Sequence, residues 1–448
     1  MKRTSHGGQA AIPGGTSLDP PLRPVGRGYG SILLERFRAL STLELAALVI
    51  ATALVGLWTG IAIHDTTSFD GGIYYQVGQA AWANGHPEQL STWYGTPTMA
   101  AIVAIVSRLM SESTAIVLLT CLNGLLLLGM LTFAWSELRV RGARTLAAFT
   151  LVAGGLFAPA ASTIFLKQFN IIVLALAVAS FILVRRGNHR SAGFLLALSI
   201  TVKPLVILLP VALLLRSATR RTAIWSVAFG AVLTLLGQCF LAWHARSLSD
   251  LNIFTSLRSF VARGDNPSNI WACHPENFSP TSTLCRLVGG HGWTEQQITV
   301  VLFVLMLAVI AADLLRRLPA RSWCAFALAL MLSPMISPIA WSHYQIMLAP
   351  MFVFLAWQLQ RRGWRVSEYV TLVAAFALAE LVWRPYGTLP GLVHQLFGAK
   401  PQTWPEMFPV FAVSEFAQYV LFLCAVLVLT RVTSHAAAPD TTLLQASG

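Results

Sequence analysis

RRGNHRSAGFLLALSITVKPLVILLPVALLLRSATRR, residues 185–221, decides how this chain is built. Arg185, Arg186 and Arg190 precede an apolar run, and Arg216, Arg220 and Arg221 follow it. Arginine and lysine collect on the cytoplasmic side of membrane proteins, so both flanks read as cytoplasmic. A single crossing would carry one of them to the far side. Lys203 and Pro204 stand at the middle of the run. Proline removes a helix donor and disfavours helix at the residue before it. The stretch is therefore predicted to enter the membrane as two short helices folded into a hairpin, with Lys203 at the tip. One kinked span whose lysine snorkels to the interface is the alternative.

The rest of the chain carries the same signature. Of its 448 residues, 56% are hydrophobic and 11% charged, far from the roughly 25% charged residues of a soluble domain. Further spans are predicted at 42–63, 114–135, 145–161, 169–184, 222–243, 298–315, 323–340, 344–359, 370–383 and 411–430, each near the length that crosses a hydrocarbon core of about 30 Å as a helix. Sheets and irregular backbone facing lipid are excluded there, since nothing would satisfy their polar groups. The prediction is an all-α integral membrane protein with about 12 membrane-entering helices.

In a soluble protein the net charge of +13 would point to nucleic acid. Here 22 of the 31 Lys and Arg residues fall in the two tails and five short loops on one side of the predicted spans. That is the positive-inside bias, and it excludes a nucleic-acid partner as the reason for the charge. Residues 1–41, rich in Gly, Pro and Arg, read as a disordered basic cytoplasmic tail, and residues 431–448 as a second one. No cleavable signal peptide is expected, because the first apolar run is too long and starts too late. Residues 42–430 form the membrane domain. Its three long loops, at about 64–97, 244–297 and 384–410, face outward and hold most of the polar residues, so chemistry is expected on the outer face.

The first outer loop begins HDTTSFDGGIYYQVGQAAW, from His64 to Trp82. Asp65 and Asp70 are its two early acids. An ionised carboxylate at a membrane surface can take the proton of a sugar hydroxyl as that hydroxyl attacks. Tyr74, Tyr75, Gln76 and Trp82 follow Asp70 at spacings of a short amphipathic helix lying on the membrane, and rings with polar tips suit a sugar. Asp70 as a mere N-cap of that helix is the competing reading.

The second outer loop holds Cys273 and Cys285, the only two of six cysteines outside the predicted spans. Twelve positions apart on an oxidising face, they are candidate disulfide partners. Asn277 is a candidate acceptor contact. The loop's histidines and cysteines match no compact zinc pattern, so no metal is expected. No Walker loop or dinucleotide-binding glycine pattern occurs, which leaves nucleotide donors and ATP coupling without support, and no cofactor is expected.

Three stretches together resemble glycosyltransferase family 87, of the GT-C class. Phe69 to Pro97, with Asp70, Tyr74, Gly78, Gly85, Pro87, Tyr94 and Pro97, resembles the family's first outer loop. Lys167 to Asn170 (KQFN), an apolar span, a basic loop and Ala192 to Pro204 (AGFLLALSITVKP) resemble its GQxN, span, RG, AG, LKP pattern. Ser337 to Tyr344 (SPIAWSHY) resembles its SPxSWxHH run. The chain departs from the pattern at Lys167, where glycine is usual, at Tyr344, where a second histidine is common, and at Gly95-Thr96-Pro97, which replaces a Tyr-Pro-Pro turn.

The resemblance implies a GT-C fold and a multi-pass protein of the bacterial inner membrane. The implied activity moves a hexose or pentose, mannose foremost, from a polyprenyl-phosphate sugar to a glycolipid or envelope glycan, with inversion and on the extracytoplasmic side. In the family the acid matching Asp70 is the catalytic base. Charge develops on the leaving phosphate, and Lys203, His343 and Lys167 are the cations expected to receive it. Asp65, Tyr74, Tyr94, Asn170, Trp341 and Asn277 are the candidate substrate contacts. Two rivals stand beside this reading: a sugar or lipid transporter or flippase, and a non-catalytic subunit of an envelope-synthesis complex.

Overall fold

The structure, a computed structural model, describes residues 40–65, 69–87, 95–247, 322–336, 342–380 and 416–437, together with residues 90, 313 and 318. All regular structure among them is helical. In chain order the helices are α1 (Thr42–His64), α2 (Phe69–Asn84), α3 (Pro97–Leu109), α4 (Glu112–Val140), α5 (Arg144–Leu156), α6 (Ala158–Phe165), α7 (Asn170–Arg185), α8 (His189–Val202), α9 (Leu208–Leu214), α10 (Ser217–Ala245), α11 (Trp323–Ile336), α12 (Ala349–Arg362), α13 (Val366–Glu380) and α14 (Phe416–Ala437). Short 3₁₀ turns, Pro204–Val206 and Ser342–Leu348, precede α9 and α12. Most of the span predicted at 298–315, most of the second outer loop and all of the third lie outside the described residues.

Helices α1, α4 and α10 are each long and apolar enough to cross a membrane alone. α1 shows how they pack. Ala47, Ala51, Val55, Trp58 and Ala62 recur at helical spacing and are buried, while Leu43, Leu45, Val49, Ile50 and Leu57 on its other faces are exposed. Small residues on the inner stripe let backbones approach, and large apolar ones outside suit lipid. Ser41 and Glu44 form a capping box at its start. The same Glu44 carboxylate meets Arg139 near the end of α4 at 3.1 Å, both side chains buried. Glu368 and Arg431 make a like bridge between α13 and α14, at 3.1 Å.

Two apolar helix pairs are sharply bent at a short break. The chain turns by 120° between α8 and the α9 segment, at Lys203, which is the hairpin geometry expected from the arginine flanks and Pro204. α5 and α6 meet at 41°, and here proline is again the cause. Pro159 has no N–H for the carbonyl of Gly155, four residues back. The Trp58 indole donates to that carbonyl instead, at 3.1 Å. The buried N-terminus of α6 is satisfied from elsewhere, by the Glu380 carboxylate accepting from the Ala158 N–H at 3.2 Å.

The short helix expected after Asp70 exists as α2, and protein contacts hold it: Val77 and Ala81 are fully buried against neighbouring helices. Gly78 permits the close approach of α3, because a Cβ there would stand 2.3 Å from the Val103 carbonyl oxygen. α3 itself lies between the first outer loop and the span predicted from Thr114. Thr96 caps it through the Met99 N–H, and Pro97 opens its first turn.

The helix ends that carry the predicted cytoplasmic arginines meet tryptophans. Arg139 lies over Trp135, Arg141 and Arg361 over Trp357, Arg185 over Trp323 and Arg190 over Trp225, at 4.7 to 5.8 Å from the ring centroids. Stacked arginine and tryptophan suit the level of lipid headgroups. The polar cluster described next gathers at the other ends of α7 and α8.

Candidate active site

The cluster is assembled by the end of helix α6. Its last turns close as a Schellman motif: the Lys167 N–H donates to the Ile164 carbonyl at 3.1 Å and the Gln168 N–H to the Thr163 carbonyl at 3.0 Å. Such a motif needs one left-handed residue, and Lys167 supplies it with φ of 53°. This explains why glycine is usual there in the resembled pattern. The turn aims the next residues across the bundle. Asn123 of α4 fixes the backbone by donating to the Gln168 carbonyl at 2.8 Å.

Lys167 was expected at the donor phosphate. The structure turns it elsewhere: the side chain is 0% exposed, and Nζ donates to the Asp65 carbonyl at 3.1 Å and stands 3.9 Å from Asp65 Oδ2. Burial lowers the pKa of this ammonium from its ordinary value, and the Asp65 charge opposes the shift. Its stem passes Gly71, where an added Cβ would come within 3.0 Å of Lys167 Cβ. The lysine therefore ties the end of α1 to the first turn of α2, on which Asp70 sits.

Gln168, a residue sequence reasoning passed over, is the hub. Its Nε2 donates to Asp70 Oδ2 at 2.7 Å. Its Oε1 accepts from the Tyr74 hydroxyl at 2.7 Å and from Lys203 Nζ at 2.7 Å. Lys203 also donates to Asn170 Oδ1 at 2.9 Å and lies 4.4 Å from the centroid of the Tyr344 ring. Burial pushes the Tyr74 phenol well above its ordinary pKa range and the Asp70 charge adds to the shift, so the hydroxyl stays a donor. Its ring meets Phe169 edge-on at 4.9 Å.

His343 joins through its backbone. Its carbonyl accepts from Asn170 Nδ2 at 3.0 Å and from Thr163 Oγ1 at 3.4 Å. Its ring is buried and lies 4.9 Å from that of Tyr344. Asp70, Tyr74, Asn170, Lys203 and His343, drawn from four separate parts of the sequence, thus meet in one cluster. Asp65 and Lys167 form a second layer behind Asp70. Tyr94, Asn277, Trp341, Cys273 and Cys285 lie outside the described residues. Asn123 and Tyr344 join the cluster in addition to the expected residues. Their signal in the sequence is a polar or aromatic group at a position where an apolar helix begins or faces its neighbours.

An acid beside an amide-held lysine can take up a proton and face a developing negative charge, the two tasks of a group-transfer site. The sequence profile of glycosyltransferase family 87 matches residues 93–338, more than half of the chain, and the chain belongs to that family, with the all-helical membrane fold of the GT-C class. The matched range includes Lys167, Gln168, Asn170 and Lys203 and begins after Asp70. No curated protein and no solved structure matches the chain.

Proposed function

We propose that this glycosyltransferase moves a hexose or pentose, mannose foremost, from a polyprenyl-phosphate sugar to a lipid-linked or cell-envelope glycan acceptor. Transfer inverts the anomeric carbon and takes place on the outer face of a bacterial inner membrane. The observation that carries the reading is the convergence of a carboxylate, Asp70, and an ammonium, Lys203, on opposite ends of one buried amide. A single displacement needs both at once. Asp70 takes the proton of the acceptor hydroxyl as its oxygen attacks the anomeric carbon. The bond from that carbon to the phosphate oxygen breaks on the other side, and the electron pair leaves with the phosphate.

Lys203 receives that charge, with His343 beside it at the boundary where a lipid phosphate lies. Tyr74, Asn170, Tyr94, Trp341 and Asn277 serve the sugar and the acceptor. Lys167 acts indirectly, by holding Asp65 and the loop that carries Asp70. The polyprenyl chain lies among the membrane lipids. The outer-face assignment follows from the arginine-rich ends of α7 and α8: if they are cytoplasmic, the Lys203 tip points the other way.

The test is transfer by the purified chain in nanodiscs, given a panel of radiolabelled polyprenyl-phosphate sugars and a glycolipid extract. Label should pass from polyprenyl-phosphate mannose to a lipid or glycan product. Transfer from nucleotide sugars alone, or from no polyprenyl donor, would overturn the proposal.

A further inference from the structure

We propose that Gln168 is the positioning residue of this site, its carboxamide holding Asp70 and Lys203 in fixed relation and keeping them from closing into a direct ion pair. The inference rests on the reading of Asp70 as base and Lys203 as the phosphate-receiving cation.

The chemistry of the amide fits the place. A carboxamide offers donors at one end and an acceptor at the other, so it can satisfy a carboxylate and an ammonium together without a charge of its own. The orientation is fixed by its neighbours. Asp70 Oδ2 accepts from Nε2, and both Lys203 Nζ and the Tyr74 hydroxyl donate to Oε1. A flipped amide would set oxygen against the carboxylate and hydrogens against the ammonium. Gln168 is 6% exposed. Its backbone is held on both sides, by Thr163 through the N–H and by Asn123 through the carbonyl.

The separation has a function. In a displacement with inversion the attacking and leaving oxygens stand on opposite sides of the anomeric carbon, so the groups that serve them must stay apart. Through the amide, carboxylate and ammonium are within about 8 Å of each other. In direct contact, at about 3 Å, their Coulomb attraction would be stronger, since it grows as the separation shrinks. The ionised carboxylate would be stabilised and made a weaker base, and the ammonium would be occupied when the phosphate leaves.

Other charged and titratable groups surround Asp70. Tyr74 stands on its own helix. Lys203 and Tyr344, from the α8–α9 tip and the 3₁₀ turn before α12, both feel its charge. Lys167 and Asp65 lie beyond Gly71, Glu112 of α4 reaches the space beside Gly72, and His343 adjoins Tyr344. Substitution at Gln168 makes no direct change to Asp65, Lys167, Glu112 or His343, but it removes the bonds that Gln168 accepts from Tyr74 and Lys203, so the test reads the direction in which the Asp70 limb moves in two variants that lose those bonds alike.

The experiment compares the pH dependence of kcat/KM for wild type, Gln168→Glu and Gln168→Met in nanodiscs, with thermal unfolding as a check on folding. Glu is isosteric and sets a second carboxylate against Asp70, so the acid limb should move up by about one pH unit or more. Met lets the ion pair close, so the limb should move down while turnover falls about 10-fold to 1,000-fold. Opposite movement of the limb is the signature. A limb that stays put in both variants, or moves the same way in both, overturns the proposal and leaves Gln168 a structural residue. Should the methionine variant fail to fold, an unmoved limb in the glutamate variant is enough to overturn it. Asp70→Asn, measured alongside, separates the two claims: if that variant turns over normally the base assignment itself has failed, whatever the Gln168 variants do.

Discussion

Replacing Lys203 with methionine keeps an unbranched apolar stem and removes the charge. In the resting structure the change deletes two charge-assisted hydrogen bonds, 2.7 Å to Gln168 Oε1 and 2.9 Å to Asn170 Oδ1. Bonds to charged groups contribute about 1.5–3 kcal/mol each. Part of that is recovered, because the Tyr74 hydroxyl still donates to Gln168 Oε1 and the desolvation of the ammonium is no longer needed. A stability loss of about 1–3 kcal/mol is expected. The catalytic loss should be larger, since a group aimed at developing charge counts most in the transition state: about 100-fold to 1,000-fold in kcat. The donor KM should change less, because an interaction that strengthens as charge develops is lost mainly from the transition state. Lys203→Arg is the informative companion. It keeps the charge, but a planar fork does not fit a site built for a point charge between two amide oxygens and the Tyr344 ring, so its turnover should fall between wild type and methionine. Steady-state transfer at saturating donor, with thermal unfolding to count folded protein, measures both effects. A folded Lys203→Met variant within about threefold of wild-type kcat would refute the assignment.

Lys167 gives a test of backbone strain: Lys167→Gly and Lys167→Ala both lose the tie to Asp65, but only glycine relieves the left-handed φ, worth about 1–2 kcal/mol, against an unfolded-state cost of about 0.4–1 kcal/mol. The glycine variant should therefore melt above the alanine variant, and equal or reversed melting temperatures would contradict the Schellman reading. In a cysteine-free background, reporters at Arg186 and Ala218 should label only from the cytoplasm and one at His86 only from outside; outside labelling at Ala218 would replace the hairpin with a single kinked crossing.

The sharp turn at Lys203 was legible because its cause is local: a Lys-Pro step interrupts the apolar run between two arginine clusters within 37 residues. The end of α6 was not. That Lys167 would turn to Asp65 follows from a left-handed backbone set by the last turn of the helix, and no spacing rule reports it. Gln168 lies between Lys167 and Asn170 in the KQFN run, yet its partners come from α2 and the α8–α9 tip, which only folding brings together. His343 was expected through its ring, whereas its carbonyl accepts from Asn170 and Thr163. Sequence patterns speak of side chains and are silent on such backbone anchors. Helix α3 was missed because, at 13 residues, it is too short to register as a span, and the bend between α5 and α6 because Pro159 stands near the end of an otherwise continuous apolar run.

The central claim is that Asp70 takes the acceptor proton. Asp70→Asn keeps the size of the side chain and a hydrogen-bonding oxygen but cannot accept that proton. Transfer from polyprenyl-phosphate mannose should fall by about 100-fold to 10,000-fold, with donor binding little changed. Asp65→Asn is the matched control: Asp65 meets Lys167 mainly through its backbone carbonyl, so its loss should be far milder. Near-normal turnover by the Asp70 variant would contradict the account, and a dead Asp65 variant beside it would move the base to Asp65.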